Sequence, residues 1–325
     1  MYPKTTEVVC KYCVSKAVSK YGKYGATQLY WCKICARKFK GDDTLFHMKV
    51  SPEYISSALA LYYTGLSIND ICLHFRDAKG YHPSKSVVFQ WVDKYTDMAV
   101  DHFRQYQPQV GDVWAEDETM LDLDKKHKVW FWDIIDADTR FLIASRVSET
   151  RTTKDAQSLM ETAKRVTGKS PKKIISDKLR AYWDGIELTF GADTEHVMSS
   201  PFAGGEDSTA LIERWHSILK ERTKVMKAFR NVDTLIQFTD GFLVYYNYLR
   251  PHESLKGKTP AEAAGIAYDV KSWQDVCRLP VTENRSFDNV FGVTPKARAT
   301  RVGKRKLSKR VGRRENIPTS LGEMR

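Results

Sequence analysis

No apolar run of about 18 or more residues interrupts this chain, so nothing in it reads as a membrane-spanning helix. No basic-then-apolar leader opens it, and the expected setting is the cytoplasm. Internal repeats and coiled-coil heptads are missing too, which sets aside solenoid and fibrous architectures. Cysteine is scarce, with six in 325 residues. Without an export signal the setting disfavours disulfides, which stay, with redox thiols, the alternative reading of paired cysteines. Acid is also in short supply. Fifty-two Lys and Arg against 40 Asp and Glu leave a net charge of +12 and a pI near 9.3. That excess favours a polyanionic partner, nucleic acid first. What is present suffices for a core: 42% hydrophobic and 12% aromatic residues set aside a disordered chain.

The basic charge is unevenly placed. From Pro295 to Arg325 there are eleven Lys or Arg and two Glu, which is +9 of the +12. Few large apolar residues accompany them, so the segment is expected to stay disordered alone. It reads as a phosphate-binding arm working by counterion release, with a solubilising tail as the plainer alternative.

Four of the six cysteines fall in two C-x-x-C pairs, Cys10 with Cys13 and Cys32 with Cys35, 18 residues apart. Each pair turns two thiolates toward one ion, and two pairs complete a tetrahedral structural Zn²⁺ site. Residues 1–45 are therefore expected to form a zinc ribbon that needs its metal to fold. Tyr21, Tyr24, Tyr30, Trp31, Arg37, Lys38 and Lys40 decorate it. Whether it touches DNA or protein is left open by the sequence. Cys72 and Cys277 stand alone and read as small core residues.

Residues 50–100 read as three helices. Ser51 precedes Pro52 at a first helical position. "TGLS" ends that helix, and Ser67 with Asp70 resembles a capping box. A third helix starts near Ser84 and turns Val87, Val88, Trp91 and Val92 inward. This is the helix-turn-helix pattern, with Lys85, Ser86, Gln90 and Lys94 facing a DNA groove. A plain three-helix bundle fits the same pattern.

Beyond residue 110 the periodicity becomes strand-like. "DVWAEDETMLDL" is one strand, and "KKHKVWFWDIIDADTRFLIASRVSE" a hairpin turning at Asp136 to Arg140. A helix, the short buried strand "PKKIISD", a second helix, a strand region and the helix "ALIERWHSILKERTK" follow. The order β-β-β-α-β-α-β-α predicts an RNase H-like α/β domain over 111–266, with 267–325 as a C-terminal extension. Trp114, Trp130 and Trp132 are expected in its packing.

In such a fold, acids at strand ends converge across the sheet. Asp117 sits in the first strand, Asp177 closes the fourth, and Glu213 lies on the late helix after 35 intervening residues. Glu118, Asp122, Asp124, Asp133, Asp136, Asp184 and Asp193 compete with them. Glu118 is expected on the opposite face of its strand from Asp117, because side chains alternate.

"DET" after a tryptophan, "SD" after an apolar strand, and "IERWHSILKER" after 35 residues resemble the DDE transposases and integrases. Lys220, seven residues after Glu213, matches a familiar basic companion. "YYNYLRPHESLKGKTPAEAAGI" looks like the close of that core in insertion-sequence transposases, of the insertion-sequence six type with a zinc ribbon. The resemblance implies Asp117, Asp177 and Glu213 holding two Mg²⁺ or Mn²⁺ ions. It also implies strand cleavage at element ends and 3′-hydroxyl transfer into target DNA. Double-stranded DNA and a homodimer or larger assembly are the implied partners, and a prokaryotic cytosol near the nucleoid the setting. A domesticated, purely DNA-binding descendant is the competing reading, and a nuclease without transfer activity another. His216, Lys220 and Lys224 share the Glu213 face of their helix and are candidates for DNA contact. Arg250 and His252 either position DNA or organise a loop stopped by Pro251.

Overall fold

The computed structural model describes residues 8–25, 27–41, 50–123, 127–199, 208–226 and 229–279. The basic tail therefore lies outside the described residues. Three antiparallel strands open the chain: β1 (Val18–Tyr24), β2 (Thr27–Cys32) and β3 (Lys38–Lys40). Among the described residues, the buried core of this ribbon is Cys10, Cys32 and Phe39.

Helices α1 (Pro52–Thr64), α2 (Ile68–Lys79) and α3 (Lys85–Phe103) follow. Their starts are chemically marked. Ser51 is the N-cap of α1, with proline in the first turn. Ser67 accepts the Asp70 N–H, and Ser84 accepts the Val87 N–H. Gly65 ends α1 at φ 130°, a conformation that side chains rarely adopt.

The second sheet has the strand order β6-β5-β4-β7-β8. Its members are β4 (Val113–Asp122), β5 (Lys128–Asp136), β6 (Leu142–Ser148), β7 (Lys173–Ser176) and β8 (Glu195–Met198). β4 is central, antiparallel to β5 and parallel to β7. The parallel pairs are joined by helices, as parallel strands require. These are α4 (Thr153–Thr167), between β6 and β7, and α5 (Arg180–Phe190), between β7 and β8. A mixed sheet with three antiparallel strands first and two parallel ones after is the RNase H-like order expected from the sequence. Asp136 stabilises the hairpin turn by accepting the Thr139 N–H at 2.8 Å.

Helices α6 (Ala210–Met226), α7 (Val232–Val244), α8 (Pro260–Ala263) and α9 (Trp273–Arg278) complete the described chain. One apolar core runs from Ile55 in α1 through the sheet to Cys277 in α9. Tyr63 stacks on Trp273 at 4.8 Å and bonds Thr96 Oγ1 at 2.6 Å. It comes so near α7 that a Cβ on Gly241 would lie 2.1 Å from its hydroxyl. Arg222 of α6 is buried, stacks 4.4 Å over Tyr62, and donates to the Leu66 carbonyl at 3.4 Å. The helical unit and the sheet thus share packing, whatever their order in the chain. Cys277 is buried as expected, whereas Cys72 is only half-buried.

After α7 the chain widens into a π turn at Tyr245–Leu249. This turn aims Asn247 at the backbone of β6. Its Oδ1 accepts the Leu142 N–H and its Nδ2 donates to the Leu142 carbonyl, both at 2.9 Å. An amide here satisfies two buried main-chain groups at a sheet edge. Asn247→Leu keeps the size and loses both bonds. Each orphaned group costs about 1–3 kcal/mol. Urea denaturation is expected to show a loss of about 2–6 kcal/mol.

Candidate active site and metal centres

β4 carries alternate residues to opposite faces of the sheet. Asp117 faces α6, and Glu118 faces α5. The parallel pairing of Val113 with Lys173, Trp114 with Ile174 and Ala115 with Ile175 carries Asp177 alongside Asp117. Oxygens of Asp117, Glu118 and Asp177 lie within 4.8 Å of one another. Three such hard oxygen donors suit Mg²⁺ or Mn²⁺.

Glu118 was expected to stand apart from Asp117. Its stem does leave the other face of the strand, but its carboxylate returns to the same rim. There it accepts hydrogen bonds from Arg151 and from the Tyr182 hydroxyl. Burial raises its pKa, and Tyr182 and Arg151 oppose that. Arg151 also lies 3.8 Å from Asp177 and stacks over Trp130 at 4.8 Å. Asp177 is anchored by the Leu179 N–H, at 2.7 Å from its Oδ1.

Glu213 is exposed on the first turn of α6, and it lies outside that cluster. The next turn of the same helix is tied to the site by His216. Its Nδ1 lies 3.3 Å from Asp117 Oδ2, and its Nε2 lies 3.1 Å from Asp133 Oδ2. Asp117 and Asp133 face each other directly across β4 and β5, an arrangement that repels when both are charged. Burial opposes a charged His216, but Asp133 and Asp117 outweigh it and push its pKa up to about 10. Trp215 Nε1 donates to Asp133 at 2.9 Å.

The reading of His216 as a DNA contact is corrected here, because the residue is 5% exposed. At about 100° per residue it sits roughly 60° from Glu213, on the side of the buried face. Two acids draw it inward. Lys220 and Lys224 are exposed on α6 as expected.

In the helical unit, Lys85, Ser86 and Gln90 are exposed on the first turns of α3, beside a 43% exposed Phe89. Lys94 differs from expectation. It is half-buried, with its Nζ 5.0 Å from the Tyr95 ring, because this half of α3 packs against α1 and α7. Arg250 is half-buried after the π turn. His252 bonds back to the Tyr246 carbonyl at 3.3 Å, which organises the loop. Trp114 and Trp132 are fully buried and Trp130 half-buried. Beside Asp177 opens a cleft of about 340 Å³ lined by Lys178, Arg180, Trp183, His196 and Met198, among others.

Sequence reasoning missed Arg151 and Tyr182, which no local pattern marks. Asp133 was weighed as a competitor, and its place inside a strand opposite Asp117 was the available signal.

The four ribbon cysteines also converge. Sγ–Sγ distances are 3.6 Å for Cys10–Cys35 and for Cys13–Cys32. A tetrahedral ion with Zn–S bonds of about 2.3 Å sets such spacings near 3.8 Å. All four are free thiols. The Cys35 N–H leads in pulling the Cys32 thiol down to about 6, whereas burial raises the thiols of Cys10 and Cys35.

An RNase H-like sheet with acids gathered at the middle of its central strand and just past the end of the parallel strand beside it defines the class of this domain. Residues 111–252 match the transposase family model described as DDE domain. Over that segment the chain is similar to the DDE domains of this family. No curated protein matches the chain in sequence. Similar solved structures include the HTLV-2 integrase catalytic core domain in complex with magnesium, in its dimeric form. It is 19% identical at a TM-score of 0.36, over 47% of this chain and 94% of that one. The simian T-cell lymphotropic virus intasome in complex with PP2A regulatory subunit B56 gamma is 14% identical at 0.36, over 74% and 79%. The BIV integrase catalytic core domain is 17% identical at 0.35, over 47% and 93%. Among the described residues, no helix is long and apolar enough to cross a membrane.

Two predictions follow from these sites. The native chain should carry one zinc by elemental analysis. Cys32→Ser should lose it and expose residues 8–41 to proteolysis, with the melting of the larger core unchanged. His252 is held neutral, its pKa lowered to about 4 by burial and by Arg250 and Arg140, against the pull of the Tyr246 carbonyl. A His depressed from 6.5 in this way stabilises fully above pH 6.5. That contribution is lost as pH falls toward 4, so Tm should drop across this window, and less so in His252→Asn.

Proposed function

We propose that this chain is a DNA transposase of the insertion-sequence type, acting on double-stranded DNA in a prokaryotic cytosol, near the nucleoid. It binds the terminal inverted repeats of a mobile element, cuts at their ends, and transfers the 3′-hydroxyl into target DNA. The observation that carries this reading is the parallel register of β4 and β7, which sets Asp117 beside Asp177 within a DDE domain.

Asp117, Asp177 and Glu213 would hold two divalent ions. When bound, such ions stabilise charge on the attacking and leaving oxygens of a phosphodiester. Everything else falls to the protein. His216 holds the Asp117 carboxylate in one orientation and removes its repulsion with Asp133. Arg151 offsets the charge of Glu118 and Asp177. Lys220 and Lys224, on the solvent side of α6, reach for the phosphates flanking the scissile bond. Lys85, Ser86 and Gln90 present the first turns of α3 to a groove. Water attack frees a 3′-hydroxyl, which attacks the target strand directly, so no covalent protein intermediate forms. Work on two element ends calls for a homodimer or larger assembly.

Asp177→Asn keeps the shape of the site and removes a charge. With Mg²⁺ or Mn²⁺ and terminal-repeat DNA, this variant should form neither nicked nor joined products while binding DNA as the native chain does. Undiminished cleavage by it would sink the assignment. Nicks without joining in the native chain would leave a nuclease, and binding without either would leave a DNA-binding descendant.

A further inference from the structure

We propose that the outer face of the ribbon sheet is a second DNA-docking surface, one that grips duplex DNA by its phosphates and reads no bases. The inference rests on DNA being the partner, as proposed above, and adds a site that the DDE domain does not contain.

Residues 8–40 contain eight Lys or Arg and no Asp or Glu. A surface that serves only solubility mixes both signs. A run of one sign repels itself and is relieved by a polyanion. The strand register then sorts these residues by face. Trp31 pairs with Lys38, and Leu29 pairs with Lys40, so these four side chains share one face. Tyr30 pairs with Phe39 on the other face, where their rings stack at 5.7 Å against the cysteine side. The outer face is therefore free of metal-holding duties.

On that face the lysines are held in place. Lys38 Nζ lies 3.9 Å from the Tyr21 ring centroid, and Lys40 Nζ lies 5.3 Å from that of Tyr24. Tyr21 leans on Trp31 at 5.9 Å. Both tyrosines are more than half exposed. An ammonium over a ring keeps its charge and loses rotamer freedom, so less entropy remains to be lost when a phosphate binds.

The same geometry decides between two ways of holding DNA. Stacking of unpaired bases needs bare ring faces. Here Tyr21 has an ammonium against one face and Trp31 alongside, and Tyr24 carries Lys40. The rings serve as platforms for lysines, and the lysines face the solvent. Duplex phosphates fit that arrangement better than extruded bases.

The test uses the full-length chain without divalent metal and a fluorescent duplex of random sequence, with Kd measured across salt concentrations. Each phosphate contact contributes about 0.9 to the slope of log K against log salt. Lys38→Ala with Lys40→Ala should flatten that slope by ~1.8 and weaken all sequences equally. Lys38→Arg with Lys40→Arg should restore it. Zinc content, measured in parallel, should stay at the native value in each variant. A native slope and Kd in the alanine variant would overturn the proposal while leaving the transposase reading intact. So would a loss confined to single-stranded DNA and to Tyr21→Leu with Tyr24→Leu, which would mark base stacking. Failure of the native chain to bind any duplex would overturn both.

Discussion

The site depends on one buried imidazole held between two carboxylates. Asp117 and Asp133 are cross-strand neighbours in the middle of a sheet covered on both faces, and two charges there cannot be left to water. His216 answers that repulsion from α6 and, in doing so, fixes where α6 lies. Trp215 adds a second bond to Asp133 from the adjacent position. Glu213, Lys220 and Lys224 ride on that helix, exposed to solvent, so where the helix carries them follows from an electrostatic need inside the sheet. Arg151 plays the corresponding part on the other side, where Glu118 and Asp177 approach each other.

This arrangement divides the work between the faces of β4. One face gives Asp117 to a helix that carries basic residues. The other gives Glu118 to Tyr182 and Arg151. Glu116, just before them in sequence, is fully buried, and burial pushes its pKa well up. Burial there disfavours the charged form of Glu116. The strand thus presents three acids in a row in three different settings, one within the core, one toward α6 and one toward α5.

Much of this was legible in the sequence, for identifiable reasons. The helix starts at Ser51, Ser67 and Ser84 were readable because capping is local chemistry. The hairpin at Asp136 to Arg140 and the strand order were readable because alternation and length are local too. Asp117 and Asp177 could be paired because register along parallel strands follows from strand ends. The inward turn of His216 was not legible, since it depends on an acid 83 residues away. Arg151 and Tyr182 escaped for the same reason. Lys94 went astray because the second half of α3 is buried by α1 and α7, which periodicity within α3 does not reveal. Asn247 stood in a quoted motif, but its bonds to Leu142 span 105 residues.

The shared core of the three N-terminal helices and the sheet has a mechanical consequence. Arg222, on the helix that carries Glu213, reaches the carbonyl of Leu66 in the turn between α1 and α2. Tyr63 is wedged against Gly241 and Trp273. The exposed turns of α3 and the acid rim are therefore two marks on one rigid ruler. On the proposed reading, the number of base pairs between the gripped repeat and the cut is a dimension of the folded core. Altering that spacing would mean rebuilding the interior, where a linker could simply have been lengthened.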